Sequence, residues 1–286
     1  MSAETTRRNF LAAAGMASLG ATVKPASARI ESSPWGIKLG VATYSLRKFN
    51  RPEAISMLRQ IQTPWVSVKD VHLSYQSTPA QLQEARKEFE AAGLKMMSAG
   101  NVDMRDPNTD AGTPEGIRKR FEYAKNAGIP MLVCAPTHEN IKTVEGCVKE
   151  FDIRIAIHNH GPEDPHFPTP QSVLQVVRGL DPRCGLCLDI GHTSRTGEDL
   201  LKTISDAGSR LLDMHVKDLR DPAKKDSQCD VGDGELPFPA IFKLLKTLNY
   251  QGCVNLEYEI FENAPLLGML RSFSYMRGVL AGLSAA

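Results

Sequence analysis

The chain has 286 residues, of which 42% are apolar and 23% are charged, as in ordinary soluble globular proteins. Its 34 basic and 33 acidic residues leave a formal charge of +1, so there is no broad basic field with which to bind nucleic acid. These values argue against a disordered chain and against a nucleic-acid partner. The length suits one α/β barrel of about 250 residues.

Residues 1–28 have the pattern of a targeting segment. Arg7 and Arg8 precede Phe10 and a short run of small and apolar residues, and Ala26 to Ala28 offer a cleavage site. The pattern resembles a twin-arginine export signal, and the apolar run is shorter than the roughly 20 residues that span a bilayer. We therefore predict export to the periplasm or another extracytoplasmic compartment, no stable membrane span after cleavage, and a mature domain over residues 29–286.

After this segment, short β-branched runs alternate with longer amphipathic stretches. One such stretch is predicted to be a helix that is capped by Thr78, starts at Pro79 and stops at Gly93. Alternation of strands and helices favours a parallel sheet, and eight units favour a single (β/α)₈ TIM barrel over a doubly wound open sheet. The eight predicted strands begin at Ile37, Trp65, Leu94, Pro130, Ile153, Cys184, Leu211 and Gly252.

The six cysteines do not form the dense disulfide framework of a small secreted domain. Cys184 and Cys187 make a Cys-x-x-Cys pattern, but both fall in one predicted strand, where residues three apart face opposite sides. A zinc knuckle is therefore not expected. Cys134, Cys253 and this pair are interpreted as small strand residues.

Polar side chains end five of the predicted strands. In a barrel the C-terminal ends of the strands form one ring, where active sites gather. One Asp, one or two His and one Glu on that ring match the mixed nitrogen and oxygen ligands of a divalent ion, either Mn²⁺, Co²⁺, Zn²⁺, Fe²⁺, Ni²⁺ or Mg²⁺. The residues concerned are His72, His158, His160, Asp189, His215, Lys217 and Glu257.

Each of these residues has a structural alternative when it is taken alone. Asp189 could cap the helix that follows its strand, and His215 could be a hydrogen-bonded core histidine. Lys217 could be solvated, and Glu257 next to Glu259 could be an acid at a strand exit. It is the joint placement on one ring that favours a shared metal site.

Three segments carry a family resemblance: LCLDIGHT at 186–193, DMHVKD at 213–218 and GDGELPFPAIFKLLKTLNYQGCVNLEYE at 232–259. Together with the barrel pattern, they resemble the sugar isomerase/epimerase superfamily with a xylose-isomerase-like barrel, which also includes inosose dehydratase-like members and the apurinic endonuclease type. The resemblance covers roughly residues 37–282. It is specific for the superfamily and weakly specific for the substrate.

The resemblance implies that Asp189, His215 and Glu257 bind the metal and that His192 is a neighbouring substrate-binding group. Relatives commonly have a glutamate at the end of the fifth strand, which also moves protons. This chain has His158 there, within an HNH sequence similar to a YHNH variant subgroup. His158 is the preferred fourth ligand, with His160 as the alternative.

The chemistry that the resemblance implies is loss of a proton beside a carbonyl to give an enediolate that a divalent ion stabilises. The candidate catalytic residues are Glu257, Lys217 and His160. The candidate substrate-binding residues are His72, His192 and Arg220. His72 is also a candidate proton carrier, and Arg220 could equally be solvated in a charged loop.

An enediolate can be epimerised, isomerised or dehydrated. We predict a metal-dependent isomerase or epimerase acting on a neutral sugar or keto-sugar, because the chain has no phosphate-binding motif. The alternatives are a dehydratase or hydratase acting on 3-keto-sugars or inosose-like substrates, and a non-catalytic sugar-binding protein with an altered site.

The nuclease branch of the superfamily is not expected. Its extra metal-binding histidines are replaced here by Ala135 and Gln228. The expected partner is a small-molecule sugar. The C-terminal stretch from Leu256 could cover the barrel or meet a second copy of the chain, so a homo-oligomer stays open.

Overall fold

The structure is a computed structural model that describes residues 36–106 and 109–285. The predicted export segment at residues 1–28 lies outside the described residues. Of the predicted domain over residues 29–286, the described part therefore begins at residue 36.

Eight parallel strands close into a barrel, in which the last strand pairs with the first. All eight predicted strands are present, so the single TIM barrel is confirmed and the open sheet is wrong. The strands are β1 (Lys38–Ala42), β2 (Trp65–Val68), β3 (Lys95–Asp103), β4 (Met131–Ala135), β5 (Arg154–His158), β6 (Cys184–Asp189), β7 (Leu211–Val216) and β8 (Cys253–Leu256).

Helices surround this barrel, and their ends follow the capping signals of the sequence. Thr78 and Gln81 form a reciprocal capping box before the second helix, and Gly128 ends the third with φ of 69°. The helices are α1 (Arg51–Ile61), α2 (Pro79–Ala91), α3 (Pro114–Ala127), α4 (Ile141–Phe151), α5 (Pro170–Val177), α6 (Ile190–Ser194), α7 (Leu200–Ala207), α8 (Phe238–Thr247) and α9 (Leu266–Ala285).

The register of neighbouring strands sets the height of the polar residues along the barrel. The order β5, β6, β7, β8 is continuous around the wall. Asp189 is level with His215, which is level with Asn255 on β8, and His158 is level with Cys187. The C-terminal ends of four adjacent strands therefore meet at one corner of the barrel mouth.

The motif residue Asp218 begins a two-stranded ribbon, Asp218–Leu219 paired with Gln228–Cys229. Its carboxylate accepts hydrogen bonds from the backbone N–H groups of Gly232, Gly234 and Leu236. A Cβ at Gly234 would lie 2.2 Å from the Asp218 carboxylate, so only glycine allows this approach. These sequence motifs thus also have a structural role, because they hold the loop that leads from β7 to α8.

Helix α9 covers the barrel, as one of the two alternatives for the C-terminal segment predicts. It buries Met269, Phe273 and Met276 and packs against α1 and α8. Within residues 36–106 and 109–285, no helix is both long and apolar enough to cross a membrane. The six cysteines are buried and free, and Cys184 and Cys187 both lie in β6.

Candidate metal centre

Four buried side chains meet at the C-terminal ends of β5 to β8. They are His158, Asp189, His215 and Glu257, and each offers one ligand atom within 4.8 Å of the others. Their exposed fractions run from 0% for Asp189 to 7% for Glu257. Because unpaired charges and imidazoles are costly to bury, their assembly in one buried place requires a cation or a proton network.

The distances between the ligand atoms fit a shared ion. Nε2 of His158 lies 3.1 Å from Nδ1 of His215 and 3.6 Å from Oδ2 of Asp189. Nδ1 of His215 lies 3.3 Å from Oε1 of Glu257. Ligands about 2.1 Å from a tetrahedral ion are about 3.4 Å from one another, so these side chains need little movement to hold one. Oδ2 of Asp189 is a buried atom that makes no hydrogen bond, and its one cationic neighbour in the described chain is the ammonium of Lys217, 3.2 Å away.

Cys187 lies beside this group. His158, Cys187 and His215 form a second set of potential ligand atoms within 4.8 Å of one another. Burial raises the pKa of the Cys187 thiol to about 12, which disfavours the thiolate that binds metals. The set with two carboxylates is therefore the better candidate.

The contacts of Asp189 confirm the helix cap and are compatible with the metal-ligand alternative. Its Oδ1 accepts a hydrogen bond of 2.8 Å from the backbone N–H of His192 and so caps α6. Its Oδ2 faces the ligand group. The cap fixes the orientation of the carboxylate, and a fixed second oxygen is what a metal ligand needs.

Lys217 lies against the carboxylates of the site. Its Nζ is 3.2 Å from Oδ2 of Asp189 and 2.8 Å from Oε2 of Glu257, and it also forms an ion pair with Glu259. Lys217 is only 4% exposed, so the solvated alternative is wrong. Burial disfavours its charge, but the three carboxylates outweigh burial and hold its pKa well above the usual value.

Without an ion, the two facing imidazoles divide their protons unequally. Burial, followed by the neighbouring imidazoles of His160 and His215, lowers the pKa of His158 well below its usual value. Burial also opposes a charge on His215, but its contacts with the sulfur of Cys187 and with the carboxylate of Glu257 outweigh burial and raise its pKa. A bound cation would take the place of the proton that His215 holds, since metal ligation requires neutral imidazoles.

His160 lies just beyond β5, with its ring centroid 4.4 Å from that of His158. Its Nε2 is 2.6 Å from Nδ2 of Asn101, and its Nδ1 is 3.2 Å from Oδ2 of Asp164. Asp164 in turn pairs with Arg105. His160 is therefore held at the edge of the ligand group, and His158 is the histidine that the structure places within it.

His192 borders the same group. Its ring centroid is 5.8 Å from that of His158 and 5.9 Å from that of His160. Burial lowers its pKa to about 4, against the opposing effect of Asp189. Nδ1 accepts a hydrogen bond of 2.8 Å from Arg195. His192 therefore borders the ligand group, and its role in binding substrate stays a prediction.

The structure does not bring the other two predicted residues into the ligand group. His72 lies four residues beyond the end of β2, is buried, and is held at both ring nitrogens by Thr43 and Leu46. Arg220 is exposed beside the ribbon, where its backbone N–H donates to Ser227. His72 thus contacts the loop after β1, and no contact of Arg220 with the ligands is seen in the described chain.

Sequence reasoning missed residues that position the site. The side chain of Asn159 donates to the carbonyl of Asp189 and accepts from its N–H, at 3.4 and 3.0 Å. Gln228 donates to the carbonyl of Glu257 and accepts from the N–H of Glu259. The sequence signal for Asn159 was its place between two histidines, and that for Gln228 was its place where the nuclease branch has a metal-binding histidine.

A family model for the xylose isomerase-like TIM barrel matches residues 59–278. The chain belongs to this family. One curated relative is an inosose dehydratase of Clostridium perfringens, to which the chain is 25% identical over 160 residues. The matched region covers 51% of this chain and 46% of the relative. The first curated relatives are thus matched over less than half of their own length.

Two solved structures illustrate the shared fold. The 3-keto-D-glucoside 4-epimerase of E. coli superposes with a TM-score of 0.67 at 15% identity, covering 85% of this chain and 99% of the other. A zinc-bound IolI protein superposes with a TM-score of 0.70 at 15% identity, covering 86% and 99%. At this identity the likeness establishes the fold, while the candidate metal site stands on the geometry of this chain.

Proposed function

We propose that the protein is a divalent-metal-dependent isomerase or epimerase of a neutral sugar or keto-sugar. The observation that carries the proposal is the buried group of His158, Asp189, His215 and Glu257, whose ligand atoms lie within 4.8 Å of one another. These four side chains would hold the ion. A divalent ion there supplies a Lewis acid that stabilises negative charge on adjacent substrate oxygens, as in an enediolate.

The residues around the ligands are the candidates for charge stabilisation and proton transfer. Lys217 is hydrogen-bonded to carboxylates, and its ammonium can donate a hydrogen bond to a substrate oxygen that gains negative charge. His160, at the edge of the group, is the candidate for moving a proton at a substrate carbon. Glu257 is the remaining carboxylate in reach of both, and His192 is the candidate for binding a substrate hydroxyl.

The pairing of the cations near the strand ends supports a neutral substrate. Arg47 pairs with Glu262 after β1, Lys69 pairs with Asp70 after β2, and Arg105 pairs with Asp164 after β3. Arg195 pairs with Glu163. A phosphate site needs cations free to bind the phosphate, and each of these already has a carboxylate partner. Arg220 has no ion pair in the described chain, but it is exposed.

A dehydratase acting on a keto-sugar is the second candidate. The observation that favours it is the ammonium of Lys217 inside the site, 2.8 Å from Glu257. Loss of a hydroxyl beside a carbonyl places negative charge on the departing oxygen, and a buried lysine that keeps its charge can stabilise that oxygen. The inosose dehydratase relative supports this class of reaction.

Deuterium exchange tests the proposal. Protein loaded with Mn²⁺, Co²⁺ or Zn²⁺ is incubated in D₂O with a panel of ketoses, inososes and 3-keto-glucosides, and NMR follows deuterium incorporation and product formation. We expect metal-dependent exchange at a carbon beside a carbonyl. Recovery of an epimer or isomer supports the first candidate, and recovery of an unsaturated keto-sugar supports the second.

The matched variants are Asp189→Asn and His138→Ala. Asn at 189 keeps an oxygen for the helix cap and removes the charged ligand, so exchange is expected to stop. His138 lies outside the ligand group, with its ring packed near His166 and Phe167, so its loss leaves exchange unchanged. Metal-loaded wild type that binds a panel sugar without any exchange would reject an enediolate enzyme in favour of a sugar-binding protein.

A further inference from the structure

The guanidinium of Arg195 is buried beside the ligand group, although no part of the sequence reasoning singled it out. Its side chain is 7% exposed. It donates to Oε1 of Glu163 at 2.6 Å, to the carbonyl of His160 at 3.4 Å and to Nδ1 of His192 at 2.8 Å. An arginine is not buried at such cost unless its hydrogen bonds hold something in place.

The loop after β5 is shaped around this guanidinium. Gly161 has φ of +86°, and a Cβ there would lie 2.5 Å from the Arg195 guanidinium and 3.2 Å from Nδ1 of His192. A larger residue would therefore be strained and would displace the contact. Glu163, two residues further along, binds the same guanidinium. Gly161, the carboxylate of Glu163 and the carbonyl of His160 thus all adjoin the contact between Arg195 and His192.

That contact fixes the hydrogens of His192. A guanidinium has only donors, so Nδ1 of His192 must present its lone pair to Arg195. An imidazole whose Nδ1 accepts is neutral and carries its single hydrogen on Nε2. No partner for Nε2 is found in the described chain, and the ring borders both His158 and His160.

We infer that Arg195 is a positioning residue that locks His192 in the neutral form with its hydrogen on Nε2, so that His192 is a fixed hydrogen-bond donor. In this form His192 has no free lone pair, so it neither ligates the ion nor accepts a proton from substrate. The donor then binds an oxygen of the sugar beside the metal. This last step rests on the proposed function, whereas the locked hydrogen position does not.

The test is long-range ¹H–¹⁵N correlation NMR of ¹⁵N-labelled, Zn²⁺-loaded protein at one pH. The His192 signals are identified by their loss in His192→Gln. In wild type we expect Nε2 to have the shift of a protonated nitrogen and Nδ1 that of an unprotonated one. Arg195→Lys, whose ammonium also only donates, keeps this pattern. Arg195→Met gives a mixture in which the Nδ1 signal moves toward the protonated shift.

Arg178→Met is the matched control, because Arg178 is an exposed arginine on the same domain, and its spectrum equals that of wild type. Should Arg195→Met fail to fold, Arg195→Leu replaces it, since its side chain likewise has no donor for Nδ1 and gives the same shift. Wild type with hydrogen on Nδ1 or on both nitrogens overturns the inference. So does an Arg195→Met spectrum identical to that of wild type.

The inference and the proposed function fail separately. Absence of deuterium exchange with every sugar rejects the enzyme and leaves the hydrogen position of His192 standing. Zinc coordination by Nε2 of His192 rejects the inference even if sugars exchange, because a nitrogen that binds zinc carries no hydrogen. An unchanged spectrum in Arg195→Met likewise removes the role of Arg195 without touching the metal site.

Discussion

Nε2 of His158 lies 3.1 Å from Nδ1 of His215, although the two residues are 57 positions apart in the chain. They meet because β5 and β7 flank β6 on the barrel wall, and both residues lie near the C-terminal ends of their strands. Two facing ring nitrogens cannot both be bare lone pairs without repulsion. Either one holds a hydrogen toward the other or a cation lies between them.

Metal binding follows from this relationship. We expect about one Zn²⁺ or Mn²⁺ per chain, measured by calorimetry and by metal analysis. Asp189→Asn or His215→Ala removes a ligand and should weaken binding by more than the roughly 10–100-fold that loss of a supporting residue costs. His138→Ala, an exposed histidine outside the group, should bind as wild type does. Equal binding by Asp189→Asn would contradict the ligand assignment.

Asn159 is expected to affect the affinity for the metal ion, although it is not a ligand. Its amide accepts a hydrogen bond from the N–H of Asp189 and donates to Thr193, so it holds the end of β6. Asn159→Leu should weaken metal binding roughly 10–100-fold and, by leaving a buried N–H unpaired, cost about 1–3 kcal/mol of stability. Calorimetry and urea unfolding measure the two effects. Lost stability with unchanged affinity would show that Asn159 supports the fold alone.

The barrel and the four candidate ligands could be predicted from the sequence because strand patterns and short motifs are local. Strand periodicity located all eight strands, and the rule that sites gather at their C-terminal ends drew attention to seven polar residues. The family resemblance then selected Asp189, His215 and Glu257, with His158 as the preferred fourth ligand, and these four side chains do meet. Neither prediction requires knowledge of how the side chains pack. The ligand assignment itself awaits the metal measurements above.

What the sequence could not provide are contacts between separate loops. Arg195 meets Glu163 across 32 positions, and no periodic pattern links the two. Lys217 gains Glu259, two residues beyond Glu257, as an ion-pair partner. His72 was expected among the strand ends at the barrel mouth. Because β2 already ends at Val68, the imidazole of His72 instead contacts Thr43. Such pairings depend on loop conformation, which the strand pattern does not determine.

Export by the twin-arginine route stays a prediction from residues 1–28. Replacing Arg7 and Arg8 together by lysine keeps the charge of the segment and removes the paired arginines. We expect the protein to stay in the cytoplasmic fraction, whereas wild type reaches the extracytoplasmic one, as measured by fractionation and immunoblotting. Replacing Lys24 by arginine is the control and should leave export unchanged. Equal export of the double variant would exclude this route.

Glu145 lies away from the metal site and is expected to make the stability of the protein depend on pH. It is 8% exposed, and its carboxylate binds Lys149, the backbone N–H of Asp181 and Lys142. The hydrogen bond to Lys149 is the main cause that lowers its pKa from 4.5 to about 2. A group whose pKa falls on folding stabilises the protein above its unfolded pKa. The contribution is therefore full above about pH 5 and is lost as the pH falls toward 2.

Glu145→Gln should lower the free energy of unfolding at pH 7 by about 1 kcal/mol, which is less than the full shift implies because its lysine partners are exposed. Urea unfolding at pH 7, 5, 4 and 3 measures the difference from wild type, which should shrink steadily below pH 5. Glu84→Gln, an exposed glutamate on α2, should show no such trend. A difference that stays constant over this range would mean that the charge of Glu145 contributes nothing.

Lys217 gives the prediction that couples stability to the metal. Its ammonium is the cation among three carboxylates, those of Asp189, Glu257 and Glu259. Lys217→Met keeps the length of the side chain and removes the charge. Without metal, breaking such a buried ion pair should cost about 3–5 kcal/mol, because the carboxylates are left to repel one another. Thermal and urea unfolding of metal-free protein measure this cost.

Added divalent ion should then recover much of the lost stability. An ion that binds only the folded state stabilises it in proportion to the logarithm of concentration over Kd, and in Lys217→Met it becomes the main counter-charge of the same carboxylates. The rise in Tm on adding Zn²⁺ should therefore be larger in Lys217→Met than in wild type. Lys202→Met, on the exposed surface of α7, should respond to Zn²⁺ as wild type does. A smaller rise in Lys217→Met would mean that the lysine helps to hold the ion in place.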